Sequence, residues 1–98
     1  MTEPSEADVV RNAGRSRYEL LVDGEVVGLV DYRIADDGTL ALTHTEVDRS
    51  LRGQGFSAVL VSRALDDVRA RGERVVAKCS YVREFRREHP EYADVFAK

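Results

Sequence analysis

The chain has 98 residues, 43% of them hydrophobic and 34% charged, with a net charge of −3. That length supports one domain with a modest core, and the composition fits a soluble globular protein rather than a general nucleic-acid binder. No apolar run is long enough to span a membrane, Met1–Ala13 lacks a signal-peptide core, and a single cysteine excludes an internal disulfide, so a reducing, cytoplasmic setting is expected.

In chain order, Met1–Asp8 is polar and is expected to fray. Val9–Asn12 reads as a short edge strand, followed by a turn at Asn12–Arg15. Arg17–Val22 places Tyr18, Leu20 and Val22 on one face of a strand. Asp23-Gly24 is the strongest hairpin signal in the chain, and Glu25–Ile34 returns antiparallel from it. Asp36-Asp37-Gly38 turns the chain into a further strand, Thr39–Val47. In Gly55–Arg71, apolar Leu60, Val61, Ala64, Leu65 and Val68 recur at spacings of three and four, the stripe of an amphipathic helix, with Phe56 and Val59 at its border. Asp67 and Arg71 form an i,i+4 pair on the opposite side. Gly72 suits the left-handed position that ends a helix. Arg74–Lys78 reads as a short strand. Ser80 is positioned to cap a helix from Tyr81 to about Glu88, and Pro90 breaks that helix and starts a last turn. Strand, helix and strand from Thr39 to Cys79 imply a parallel pair joined by a right-handed crossover. The expected fold is α+β: an antiparallel meander, one βαβ unit and a C-terminal helix, in a single domain spanning residues 1–98.

Charge is unevenly spread. The first 51 residues carry 11 acidic and 5 basic side chains, whereas residues 52–88 carry 5 acidic and 9 basic ones. The basic part contains Arg52-Gly53-Gln54-Gly55-Phe56-Ser57, which joins the strand to the helix. Glycines there let backbone N–H groups turn inward, and the helix directs its positive dipole end at the same point, which makes an anion site suited to phosphate. Three readings fit. The glycines serve only to turn the chain, or Gly53, Gly55 and Ala58 supply the G-x-G-x-x-A of a dinucleotide site, or the loop holds coenzyme A. The dinucleotide reading needs an acidic residue after the next strand, and Glu73 precedes it. A triphosphatase loop is excluded because no G-x-x-x-x-G-K-[ST] occurs. Cys79, His44 and His89 have no paired-ligand spacing, so no metal site is expected.

The loop resembles the acyl-CoA motif of the GNAT superfamily of N-acetyltransferases, Q/R-x-x-G-x-G/A, with Arg52, Gly55 and Ser57 at its defined positions. The resemblance runs from about Arg17 to Phe96. Thr43-His44, RGQG at Arg52–Gly55, CSYVREF at Cys79–Phe85 and HPEY at His89–Tyr92 look like the minimal GNAT-like proteins related to human N-acetyltransferase domain-containing protein 1. That resemblance decides for coenzyme A. It implies acetyl-CoA as cofactor, a gap between the strands before and after the helix, pantetheine along the backbone of Thr45, Glu46 and Val47, and pyrophosphate on the amides of Arg52, Gly53, Gln54, Gly55, Phe56 and Ser57. Larger members insert two acceptor-gripping helices between their first two strands. Here a tight turn near Gly14 takes their place, so the acceptor side is expected to be open. The asparagine and tyrosine that larger members often carry beyond the second strand are also missing at matching spacing.

Transfer to an amine needs a base for the amine proton and a donor for the departing thiolate. Histidine is the side-chain type suited to proton exchange near neutral pH, which singles out His44. Strand alternation would put Leu40, Leu42, His44 and Glu46 on one face, with Glu46 as reserve base. Cys79 is the candidate nucleophile or proton donor, and is expected to share a cavity with His44. The function expected is acetyl transfer from acetyl-CoA to a primary amine of unknown identity, a small molecule or a protein, with no nucleic-acid or membrane partner. The alternative is a non-catalytic module that binds coenzyme A or another protein.

Overall fold

Asp23 and Gly24 both take left-handed dihedrals (φ 52° and 80°), the pair that a two-residue type I′ turn requires, and they close the hairpin between β2 (Arg17–Val22) and β3 (Glu25–Ile34). The computed structural model describes residues 3–97. Around this hairpin lie β1 (Asp8–Asn12), β4 (Leu40–Val47) and β5 (Val75–Ala77), in the order β1-β2-β3-β4-β5. The first four strands are antiparallel neighbours, and β5 runs parallel to β4. Helix α1 (Phe56–Ala70) makes the crossover, and α2 (Ser80–Glu88) follows β5. Pro90–Val95 forms a 3-10 turn, after which Phe96 bridges Val75 in parallel along the far edge of β5.

Both crossovers step in the same direction along the sheet. Right-handedness therefore sends α1 and α2 to one face, where they touch each other. The stripe read from the sequence is what α1 buries: Leu60, Val61, Ala64, Leu65 and Val68 are all at most 1% exposed. Phe56, expected at the border of the stripe, is fully inside. These side chains pack on Tyr18, Leu20, Val30, Leu40 and Leu42 from the sheet. The helix ends as its glycine demands. Gly72 (φ 72°) donates to Arg69 O and the Glu73 N–H reaches Val68 O, the two bonds of a Schellman motif.

The N-terminal segment departs from expectation. Met1 and Thr2 lie outside the described residues, but Pro4–Glu6 is a 3-10 turn and Ala7 is 2% exposed. The Arg63 guanidinium on α1 holds the carbonyls of Ser5 and Ala7, which the polar composition of the segment does not disclose.

One polar chain runs through the sheet–helix contact. Arg11 donates to Glu73 (2.6 Å) and to the Tyr32 hydroxyl (3.1 Å), tying the edge strand to the loop after α1. The Tyr18 hydroxyl donates to Asp67 (2.6 Å), which also receives Arg71 (2.7 Å). Burial alone would push the Asp67 carboxyl up, but the Tyr18 hydroxyl and the Arg71 guanidinium outweigh it and hold it below its ordinary range. A depressed carboxyl contributes stability above its unfolded value, about pH 4, and loses it as pH falls through the folded value. Asp67→Asn is therefore expected to cost about 1 kcal/mol near neutral pH, discounted for partial exposure. Thermal midpoints measured from pH 7 to 2 check this: the gap to wild type should close below about pH 4, and a gap constant to pH 2 would contradict it.

Candidate active site: a parted strand pair and a glycine turn

β4 and β5 pair only over Leu40–Leu42 and Val75–Ala77. The amides of Lys78 and Cys79 then both donate to Leu42 O, at 2.9 and 3.1 Å, and the strands part. β4 continues five residues further, to Val47, with no strand beside it on that side. On its other side, the Asp48 N–H donates to Val27 O of β3 (2.7 Å). Alternation then directs the N–H and C=O groups of Val47 and Thr45 into the gap. The slot thus has one wall of free strand edge, and its far end opens on the loop before α1.

A bulge decides what faces this slot. Tyr32 pairs with Leu42 but Asp31 pairs with His44, so Thr43 is an extra residue without a partner. The extra residue reverses the alternation. Leu42 pairs on the helix side with buried Tyr32; past the bulge it is Thr45 and Val47 that face the helices, while His44 and Glu46 face away with Asp31 and Leu29. The expected single face of Leu40, Leu42, His44 and Glu46 is therefore corrected. So is the expected cavity shared by His44 and Cys79. The Cys79 sulfur meets Thr45 Oγ1 instead, at 3.2 Å, and His44 is exposed on the opposite face with no side-chain hydrogen bond among the described residues. Cys79 also takes the capping position expected of Ser80: its sulfur accepts the Val82 N–H at 3.5 Å, at the N-terminus of α2. The Thr45 side chain is the functional candidate that sequence reasoning missed, since only its backbone was considered.

The loop before α1 is built by Asp48. Its Oδ1 accepts the Ser50 N–H (3.0 Å) and hydroxyl (2.9 Å), an Asx turn that starts a short 3-10 stretch, Arg49–Leu51. Gly53 and Gly55 follow at φ 80° and 91°. A Cβ on Gly53 would meet nothing within 4 Å, and one on Gly55 only Pro4 Cγ at 3.8 Å, so conformation rather than crowding calls for glycine. Gly55 caps α1 with no side chain of its own, and the first helical bond is Val59 N–H to Gly55 O. The amides of Phe56, Ser57 and Ala58 are left open at the positive end of the helix. Several side chains of the expected binding set are committed elsewhere. Phe56 and Val47 are buried, and Gln54 donates to Ser50 O (3.1 Å). What these residues offer an anion is backbone, with exposed Arg52 beside it.

The family model of GCN5-related N-acetyl-transferases matches residues 17–95, which covers all of these elements except the N-terminal strand and the end of the chain. The chain belongs to that family. Two solved structures share the acetyltransferase fold. The solution structure of a GCN5-like protein from Staphylococcus aureus superposes with a TM-score of 0.70 at 20% identity, covering 92% of this chain and 87% of that one. Ribosomal-protein-alanine N-acetyltransferase from Brucella melitensis biovar Abortus 2308 has a TM-score of 0.57 at 20% identity, covering 84% of this chain and 61% of that one. No curated protein sequence matches. In this GCN5-related N-acetyltransferase, a 3-10 turn at Ala13–Arg15 is all that joins β1 to β2, so the acceptor-gripping helices of larger members have no counterpart there. No described helix is long and apolar enough to cross a membrane, and no cluster of three metal-ligating side chains occurs among the described residues.

Proposed function

We propose that this chain is an acetyl-CoA-dependent N-acetyltransferase acting on a primary amine. The observation that carries the reading is the slot itself: a free strand edge at Thr45 and Val47 that ends at open helix amides. Pantetheine is a chain of amides, which pairs with an exposed strand edge, and a pyrophosphate suits the amides of Gly53–Ala58 with Arg52 alongside. The residues present therefore fit coenzyme A, which when bound supplies the acetyl group as an activated thioester.

The two faces of the free end of β4 carry different side chains. On the bare face, His44 is placed to take the proton of an incoming amine, with Glu46 two residues on. On the helix face, the Cys79 sulfur receives the Val82 N–H and is bonded to the Thr45 hydroxyl. Such contacts suit a sulfur nucleophile, and on this reading Cys79 takes that role, supported by α2 rather than by His44. The open acceptor side favours one other reading, a module that binds coenzyme A without turnover.

Incubation with acetyl-CoA and no amine is expected to add one acetyl group at Cys79, read by mass spectrometry. Cys79→Ala should keep its thermal stabilisation by coenzyme A and lose the label. His44→Ala should label normally, because it stands on the other face, and slow amine turnover by about 10²-fold or more. An unlabelled wild type with slowed Cys79→Ala turnover would make Cys79 a proton donor. Full turnover in Cys79→Ala would return it to capping α2, and binding without turnover across an amine panel would favour the non-catalytic module.

A further inference from the structure

On the sheet face turned away from α1 and α2, a hollow lies beside the free end of β4. It measures about 260 Å³ and lies at the end of β3 and β4. Val26 and Leu29 form an apolar wall, Glu46 and Asp48 bring two carboxylates, and Val47 and Arg52 complete it. A larger hollow of about 380 Å³ is lined by turn residues, among them Asp37, Gly38, Gly72 and Glu73, at the opposite end of the sheet. A third, of about 280 Å³, is lined by Ala41, Val76 and Lys78 near the paired ends of β4 and β5, and the first is the one beside the free edge and the glycine turn. Register sets Leu29 opposite Glu46 and Asp31 opposite His44, all on this bare face.

Capacity for a cation remains in the hollow, chiefly at Glu46. Glu46 has no side-chain partner among the described residues, and Asp48 commits Oδ1 to Ser50, which leaves Oδ2 free. Arg52 is the sole cation of the lining, and after the Ser50 amide and hydroxyl its charge also helps hold the Asp48 carboxyl below its ordinary range. Glu46 lies two residues beyond His44, on the order of 7 Å along the strand. A stem of about five carbons spans that distance. Its methylenes would lie on Leu29 and Val26, which are otherwise apolar surface facing water.

Resting on the acetyltransferase reading, we propose that this hollow binds the acceptor and selects a primary amine that carries a second positive charge about five carbons away, a short linear diamine or its equivalent. The reacting amine sits at His44 and the distant ammonium at the Glu46 carboxylate, with Asp48 beyond it. A site whose Glu46 carboxylate has no other side-chain partner among the described residues rejects an analogue lacking the second charge, because that carboxylate then goes unpaired.

The test titrates 1,5-diaminopentane, pentylamine and 5-aminopentanoate into the protein loaded with coenzyme A, following the backbone amide signals of Leu29, Glu46 and Asp48. The diamine should bind at least tenfold more tightly than pentylamine, and 5-aminopentanoate most weakly. Glu46→Gln should weaken the diamine about tenfold and so remove most of its advantage over pentylamine. Leu29→Lys should remove the preference by placing a cation in the hollow. Both sites are at the surface, and an unchanged thermal shift with coenzyme A confirms that each variant is folded. Equal binding of the three compounds, preference for the amino acid, or signal changes elsewhere would overturn the proposal. Diamine binding without acetyl transfer would count against the acetyltransferase reading and leave the pocket standing.

Discussion

Gly55→Asp is expected to abolish the stabilisation of the protein by acetyl-CoA, while Gly55→Ala keeps most of it. The two variants share one cost. Gly55 sits at φ 91°, and any side chain there pays about 1–2 kcal/mol of backbone strain, so both should melt earlier than wild type. Room is available, since the nearest atom to a new Cβ is Pro4 Cγ at 3.8 Å. Only aspartate adds negative charge at the open amides of α1. A carboxylate about 4 Å from a pyrophosphate costs roughly 4 kcal/mol at the effective dielectric of a protein surface. Wild type at a ligand concentration 100 times Kd gains about 2.7 kcal/mol, and the added repulsion exceeds that. Thermal shift with millimolar acetyl-CoA checks the expectation. Equal shifts in the alanine and aspartate variants would place the phosphate elsewhere, and no shift in wild type would remove the cofactor reading altogether.

Phe56→Ala is expected to be the most destabilising single change near the site, by about 3–5 kcal/mol. Phe56 is 1% exposed, opens α1 and directly follows the glycine cap. Its ring anchors the amide-bearing end of the helix in the core, so removing it leaves a cavity under the glycine turn. For a domain of this size the loss corresponds to a fall of roughly 15–30 °C in Tm, a large part of the 5–15 kcal/mol that such a domain commands. Urea unfolding measures it. A loss under 1 kcal/mol would show that the helix start is held by Gly55 and the loop alone.

Most of the elements are legible in the sequence because their signals are local. Asp23-Gly24 specifies its hairpin through the dihedrals of two residues, the stripe from Leu60 to Val68 specifies which face of α1 is buried, and Gly72 specifies where that helix stops. The glycine turn is local in the same way: two left-handed residues before a helix orient amides whatever surrounds them. Ser80 misled because serine is the more usual cap, whereas the actual cap, Cys79, is chosen by the position of Thr45 across the slot.

What the sequence determined by itself, then, is the set of strands and helices and the left-handed glycine turn before α1, since each depends on residues within one or two turns of chain. The tertiary structure alone decided which side chains share a cavity. Thr43-His44-Thr45-Glu46 has no residue that marks a bulge, and the extra residue at Thr43 exists only because β3 pairs Tyr32 with Leu42 and Asp31 with His44. One unpaired residue exchanges the two faces of every position after it, so Thr45 rather than His44 meets Cys79, and His44 and Glu46 are delivered to the bare face of the sheet.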